Sequence, residues 1–191
     1  MIMWWSDTFI LGVFKTEADV GAYSIAVKIA TLVSFVYSAV TAILLPKIAQ
    51  YYKNEETKKL THIIQYSSKI ILIATKPIAL ILGLFPNFFL GLFGKEYLVG
   101  NSILVLLLIA QLTNSFTGPV GPLLNMTGHE KQQLYFIIIA LALNLTISLI
   151  LVDKYGGIGV AIGSAIGMMS WNIIGAIYLK KKLGYQTWIK L

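Results

Sequence analysis

Polar residues along this chain fall in short clusters, and the apolar runs between them are too long for the helices of a water-soluble core. No Asp, Glu, Lys or Arg occurs from Gln132 to Val152, from Tyr155 to Leu179, or from Ile29 to Pro46. About 20 consecutive apolar residues cross a hydrocarbon layer roughly 30 Å thick. The pattern therefore predicts an all-α, polytopic membrane protein: a six-helix transmembrane bundle with spans near residues 2–14, 21–45, 62–84, 98–116, 134–152 and 158–179. The first of these would rise only about 20 Å, so it reads as a span with its beginning truncated.

The breaks between spans carry their own signals. Pro46 and Lys47 are expected to end the second span, because proline has no N–H to donate. A charged helical hairpin around residues 51–60 must lie in water. Pro77, directly after Lys76, predicts a kink in the third span. Residues 86–93 are apolar but too few to cross, which suggests an interfacial element, and Gly118, Pro119, Gly121 and Pro122 break the chain after the fourth span. Residues 183–191 read as a cytoplasmic tail.

Composition agrees with this pattern: 57% of residues are hydrophobic and 12% charged, against roughly 25% charged in a soluble domain. With no cysteine, disulfides and thiolate metal sites are excluded. The net charge of +7 comes from lysine alone. In a membrane protein such an excess sets orientation, and there is no basic stripe of the kind that binds nucleic acid. Nine lysines fall on the side of the loops after the second and fourth spans and the tail (Lys190 included), against three on the other side. By the positive-inside rule the C-terminus is cytoplasmic. No basic region precedes the first apolar run and Asp7 interrupts it, so no cleavable signal peptide is expected.

Ionisable groups at membrane depth are costly and mark functional positions. Lys69 and Lys76, seven residues apart, share a helix face with His62 and Gln65, and Lys28 shares one with Ser24, Thr31 and Ser38. Two cationic stripes predict a water-filled cavity that binds an anionic substrate through Lys69, Lys76, Lys28, Gln65 and Asn114; snorkelling of Lys28 and Lys69 to an interface is the bland alternative. Asp7 is a candidate for a structural ion pair with Lys28. Gly159, Gly163 and Gly167 recur every fourth residue and predict close helix packing. Asn125, Asn144 and Asn172, also at or near membrane depth, read as amides bonding across helices. His62, His129 and the dispersed carboxylates have no metal-ligand spacing and form no acid–base pair, so neither a metal, a cofactor nor an enzyme activity is expected.

Several stretches resemble Wzx-type polysaccharide repeat-unit flippases of the MATE-like multidrug/oligosaccharidyl-lipid/polysaccharide exporter superfamily. They are Asp7 with Phe9-Ile10-Leu11-Gly12, Val20 to Ala26, Leu45-Pro46-Lys47-Ile48-Ala49, Leu92 to Tyr97, Gly118 to Lys131 with Asn144, and Tyr155 to Ala161. The resemblance implies the second half of a transporter of twelve to fourteen spans, in which two bundles face each other across a cavity. It implies transport of undecaprenyl-diphosphate-linked oligosaccharide across a bacterial inner membrane for O-antigen, capsule or teichuronic-type polysaccharide. The other half-bundle would then be a separate chain, a missing segment or a second copy. A peptidoglycan-precursor flippase, a drug/cation antiporter, a membrane-embedded transferase and a non-transporting remnant are the alternatives.

Overall fold

The computed structural model describes residues 2–189; Met1, Leu191 and the Lys190 counted above lie outside the described residues. The elements are α1 (Ile2–Phe14), α2 (Glu17–Lys53), α3 (Thr57–Leu84), α4 (Pro86–Gly91), a 3₁₀ turn (Lys95–Gly100), α5 (Asn101–Thr117), α6 (Val120–Met126) and α7 (Glu130–Leu183). Among the described residues, four helical stretches are long and apolar enough to cross a membrane: α2, α3, Lys95–Thr117 and α7.

Only Lys15 and Thr16 separate α1 from α2. Thr16 caps α2 reciprocally: its hydroxyl accepts from the Asp19 N–H at 3.3 Å, while the Asp19 carboxylate accepts from the Thr16 N–H at 3.2 Å. That satisfies two of the N–H groups a helix start leaves open.

Pro46 does not end the helix. α2 runs through it to Lys53. An interior proline costs about 3 kcal/mol, but the ring is exposed, and beyond it Ile48 is fully buried against Leu60, Ile64 and Leu124 while Tyr51 and Tyr52 flank the same cluster. Burial of those side chains offsets the lost hydrogen bond. Pro77 likewise sits inside α3. The break after α5 shrinks to Gly118 and Pro119, and α6 starts at Val120 with Gly121 and Pro122 inside it.

The last two expected spans are arms of one element. α7 is helical over 54 residues except at Gly156, whose φ of 53° and ψ of −133° interrupt it. There the chain reverses. A Cβ added at Gly159 would lie 2.6 Å from the Leu151 carbonyl oxygen, at Gly163 2.8 Å from that of Asn144, and at Gly167 2.8 Å from that of Ala140. Partners whose numbers fall as the glycine numbers rise define antiparallel arms, residues 130–155 and 157–183. The four-residue glycine repeat thus lets one arm lie directly on the backbone of the other.

α1 packs on α7, α2 on α3 and α5, and α5 on α7. Two apolar clusters fill the bundle, one around Leu11, Tyr23, Val33, Leu104 and Val160, the other around Ile48, Leu60, Leu123 and Leu179. Large apolar side chains such as Phe35, Ile43, Ile73, Ile138 and Ile150 are exposed. An outside this apolar suits acyl chains.

Candidate functional site

The most buried polar cluster centres on Asp7, which has no exposed surface. Its carboxylate accepts hydrogen bonds from the Tyr23 hydroxyl at 2.6 Å, from the Asn144 amide at 2.9 Å and from the Ser164 hydroxyl. The Asn144 amide also donates to Ser164 at 3.1 Å. Four helical segments converge here: α1, α2 and both arms of α7. The turns explain why. Positions 7 and 23 lie eight residues before and after Lys15, so antiparallel pairing brings them to one level, while Asn144 and Ser164 meet through the close contact of the α7 arms at Gly163. Lys28 is five residues further along α2 than Tyr23, more than a helical turn away. The expected Asp7–Lys28 ion pair is therefore absent, and the one ion pair among the described residues is Lys59 with Glu56 at 2.7 Å.

A carboxylate held by neutral donors in an apolar bundle is stabilised by hydrogen bonds rather than by a counter-charge. Such a group is suited to exchanging a proton or a small hard cation. The Asn144 side-chain oxygen is buried without a hydrogen-bond partner. Ser164 links this cluster to a cavity of about 430 Å³ that is lined also by Trp4, Ser34, Gln111, Asn114 and Trp171. Gln111 is 2% exposed, and the Asn114 side-chain oxygen is buried and unpartnered.

The structure separates the five expected substrate-binding residues. Asn114 faces the cavity just described. Lys28 lines a groove of about 330 Å³ between α1 and α2 with Trp4, Trp5, Thr8, Ser24 and Val27. Lys69 and Lys76 stand on the exposed stripe of α3 with His62, Tyr66, Ile73, Leu80 and Leu84, and neither borders the cavities described here. The opposite stripe, Leu60, Ile64, Ser68, Ile71 and Thr75, is the one packed inward. A cationic cavity enclosed within the bundle is thus not what these lysines form; close packing of α3 on α2 and α5 leaves no room there for an ammonium group. Gln65 departs from that stripe: its amide donates to the carbonyls of Gln186 and, at 3.4 Å, Trp188.

Tyr23, Ser164, Gln111, Trp4 and Trp5 were not singled out in the sequence. For Tyr23 a usable signal exists, namely symmetry with Asp7 about the turn at Lys15; Ser164, reflected about Gly156, falls opposite position 148 and not Asn144. For Gln111 and the tryptophans none does, since a helical face becomes a cavity wall only through its neighbours. Among the described residues no three His, Asp or Glu side chains gather as a metal site.

Comparison with known proteins places these features in a family. Residues 1–150 match the MatE family model. The chain is 24% identical over 176 residues to a probable low-salt glycan biosynthesis flippase of Haloferax volcanii, covering 92% of this chain and 37% of that protein. It is 24% identical to a probable flippase of the same organism (93% of this chain, 38% of the relative) and 24% identical to an uncharacterized membrane protein of Methanocaldococcus jannaschii (97% and 37%). The chain thus spans little more than a third of the length of the curated relatives it matches. No solved structure matches it. The family match covers most of the chain and agrees with an all-helical fold with several helices long and apolar enough to cross a membrane: this chain belongs to the MatE family.

Proposed function

We propose that this chain is one bundle of a two-bundle flippase that carries lipid-linked oligosaccharide between the leaflets of a cell membrane. The observation that carries the reading is the exposure of Lys28, Lys69 and Lys76 on neighbouring helices. Each lies roughly 12–18 Å along its helix from the nearer end. An ammonium group facing acyl chains at such depth costs several kcal/mol. Exposed ammonium groups on both α2 and α3 belong against water and anions, which supports a polar cavity between this bundle and a second one. The second bundle is a separate chain, a further segment or another copy of this chain.

Within that arrangement the two arms of α7 cross separately, giving six spans with α1, and the lysine-rich side faces the cytoplasm. The cargo head group is an oligosaccharide on a polyprenyl diphosphate, since fixed ammonium groups attract phosphate as point charges. The α1–α2 groove, with Lys28 beside Trp4 and Trp5, offers both a charge for the diphosphate and indole faces for sugar rings. The undecaprenyl carrier and bacterial inner membrane implied by the Wzx resemblance are the narrower form of this proposal; of the three relatives, the probable low-salt glycan biosynthesis flippase and the probable flippase support a glycan-flippase class.

The test is the Lys69→Ala/Lys76→Ala variant in cells that depend on this transporter. Surface glycan should disappear while membrane protein level holds, and lipid-linked glycan should accumulate on the cytoplasmic side. Mass analysis of the accumulated lipid identifies its prenyl carrier. Unchanged surface glycan overturns the assignment.

A further inference from the structure

Residues 184–189 do not trail away from α7. Gly184, in the left-handed conformation at φ 75°, turns the chain back at the end of the helix, and the segment enters the cleft between α3, the α5–α6 break and the second arm of α7. Its backbone is gripped from α3: Gln65 donates to the Gln186 and Trp188 carbonyls, and Ser68 donates to that of Thr187. Gln65 and Ser68 lie eight and eleven residues into α3, so the segment reaches roughly 12–17 Å past the start of that helix. Thr187 is completely buried and its hydroxyl oxygen has no partner. Trp188 lies beneath Lys180, 4.9 Å from ammonium to ring centre, and borders a recess formed by Thr113, Thr117, Ile173 and Ile177.

The floor of the cleft is shaped for this occupant. Gly118, at φ 76°, ends α5, and a Cβ there would meet Ser68 Oγ and lie 2.6 Å from the Thr187 carbonyl oxygen. Tyr37 of α2 donates to the Gly118 carbonyl at 3.3 Å. One short segment therefore ties α3 to α7 directly over the non-helical residues Gly118 and Pro119.

We infer that residues 184–189 are a releasable strap, which locks this end of the bundle when docked and must leave the cleft for α3 and α7 to move apart. The grip consists of three hydrogen bonds to backbone carbonyls and the packing of Tyr185 and Trp188, opposed by one buried, unsatisfied hydroxyl. That is strong enough to populate the docked state and weak enough to open. The inference rests on the transporter reading only for the purpose of the movement; the docking itself stands without it.

The chain has no cysteine, so single thiols report cleanly in the intact protein in membranes. Thr187→Cys should react with a small maleimide about tenfold more slowly than Gly184→Cys, and adding Gln65→Ala and Ser68→Ala should remove most of that protection. Equal rates for the two thiols overturn the docked strap. For the locking role, a Ser68→Cys/Thr187→Cys pair is joined by a short bis-thiol-reactive linker cleavable with reductant. Glycan translocation should stop when the pair is joined and return on cleavage; undiminished translocation by the joined protein overturns the lock. Absence of translocation before joining counts against the flippase reading, and the labelling rates then decide the strap.

Discussion

The Asn144 amide donates to the Asp7 carboxylate across 2.9 Å of space and 137 residues of chain. Tyr23 and Ser164 share the same carboxylate, so one side chain joins α1, α2 and both arms of α7. Its removal has two separable consequences. Asp7→Ala leaves three buried donors without their acceptor and should lower stability by about 2–4 kcal/mol. Asp7→Asn keeps an oxygen acceptor and the side-chain shape, so most of that loss should be avoided. Thermal unfolding of the two purified variants in detergent checks this, and equal melting points would remove the network from the list of things that hold the bundle together.

Gly156 is confined by its backbone and not by its neighbours, since the nearest atom a Cβ would meet is a Lys15 side-chain carbon at 3.8 Å. Its φ of 53° with ψ of −133° is a region open in practice to glycine. Gly156→Ala should therefore cost about 1–3 kcal/mol. The readout is the denaturant midpoint of folded protein in mixed micelles; an unchanged midpoint would mean the reversal does not depend on this residue.

Gly163 and Gly12 make a controlled pair. A Cβ at Gly163 would lie 2.8 Å from the Asn144 carbonyl oxygen, whereas at Gly12 it meets nothing within 4 Å. Gly163→Ala should destabilise by about 1–3 kcal/mol through overpacking, and it should disturb the Asp7 cluster, since Asn144 and Ser164 flank the contact. Gly12→Ala should be neutral or stabilising by about 0.5 kcal/mol. Comparing their melting temperatures distinguishes close approach of helices from a general intolerance of side chains at glycine.

Asn114 tests whether the cavity polar groups serve stability or use. Its side-chain oxygen is buried and unpartnered, so Asn114→Leu gives up no hydrogen bond at that atom and should raise stability by about 0.5–2 kcal/mol. A simultaneous fall in glycan translocation would assign the group to function. Lower stability in the variant would show that a bridging partner had been lost.

Much of the architecture was legible along the chain. Long apolar runs pointed to an all-helical chain with several helices long and apolar enough to cross a membrane, because lipid tolerates neither open backbone nor a polar helix face. The glycine repeat at 159, 163 and 167 announced a close helix contact, and the Asn144 amide a bond across helices. Pro46 misled, because local propensity counts one lost hydrogen bond and is blind to what Ile48 buries against further on. The stripe of Lys69 and Lys76 was read correctly as a stripe, but periodicity says which residues share a face, not which way that face turns.

By itself, then, the sequence determined that this is a helical membrane protein and that Lys28, Lys69 and Lys76 interrupt its long apolar stretches. These follow from transfer free energies and helical periods, which act on neighbours in sequence. Only the tertiary structure decided that Asp7 is bound by Tyr23, Asn144 and Ser164 instead of Lys28, that Lys69 and Lys76 face outward, and that residues 184–189 fold back on Gln65 and Ser68. Each of these depends on which helices adjoin and at what depth, and that is fixed by the packing of the whole bundle at once.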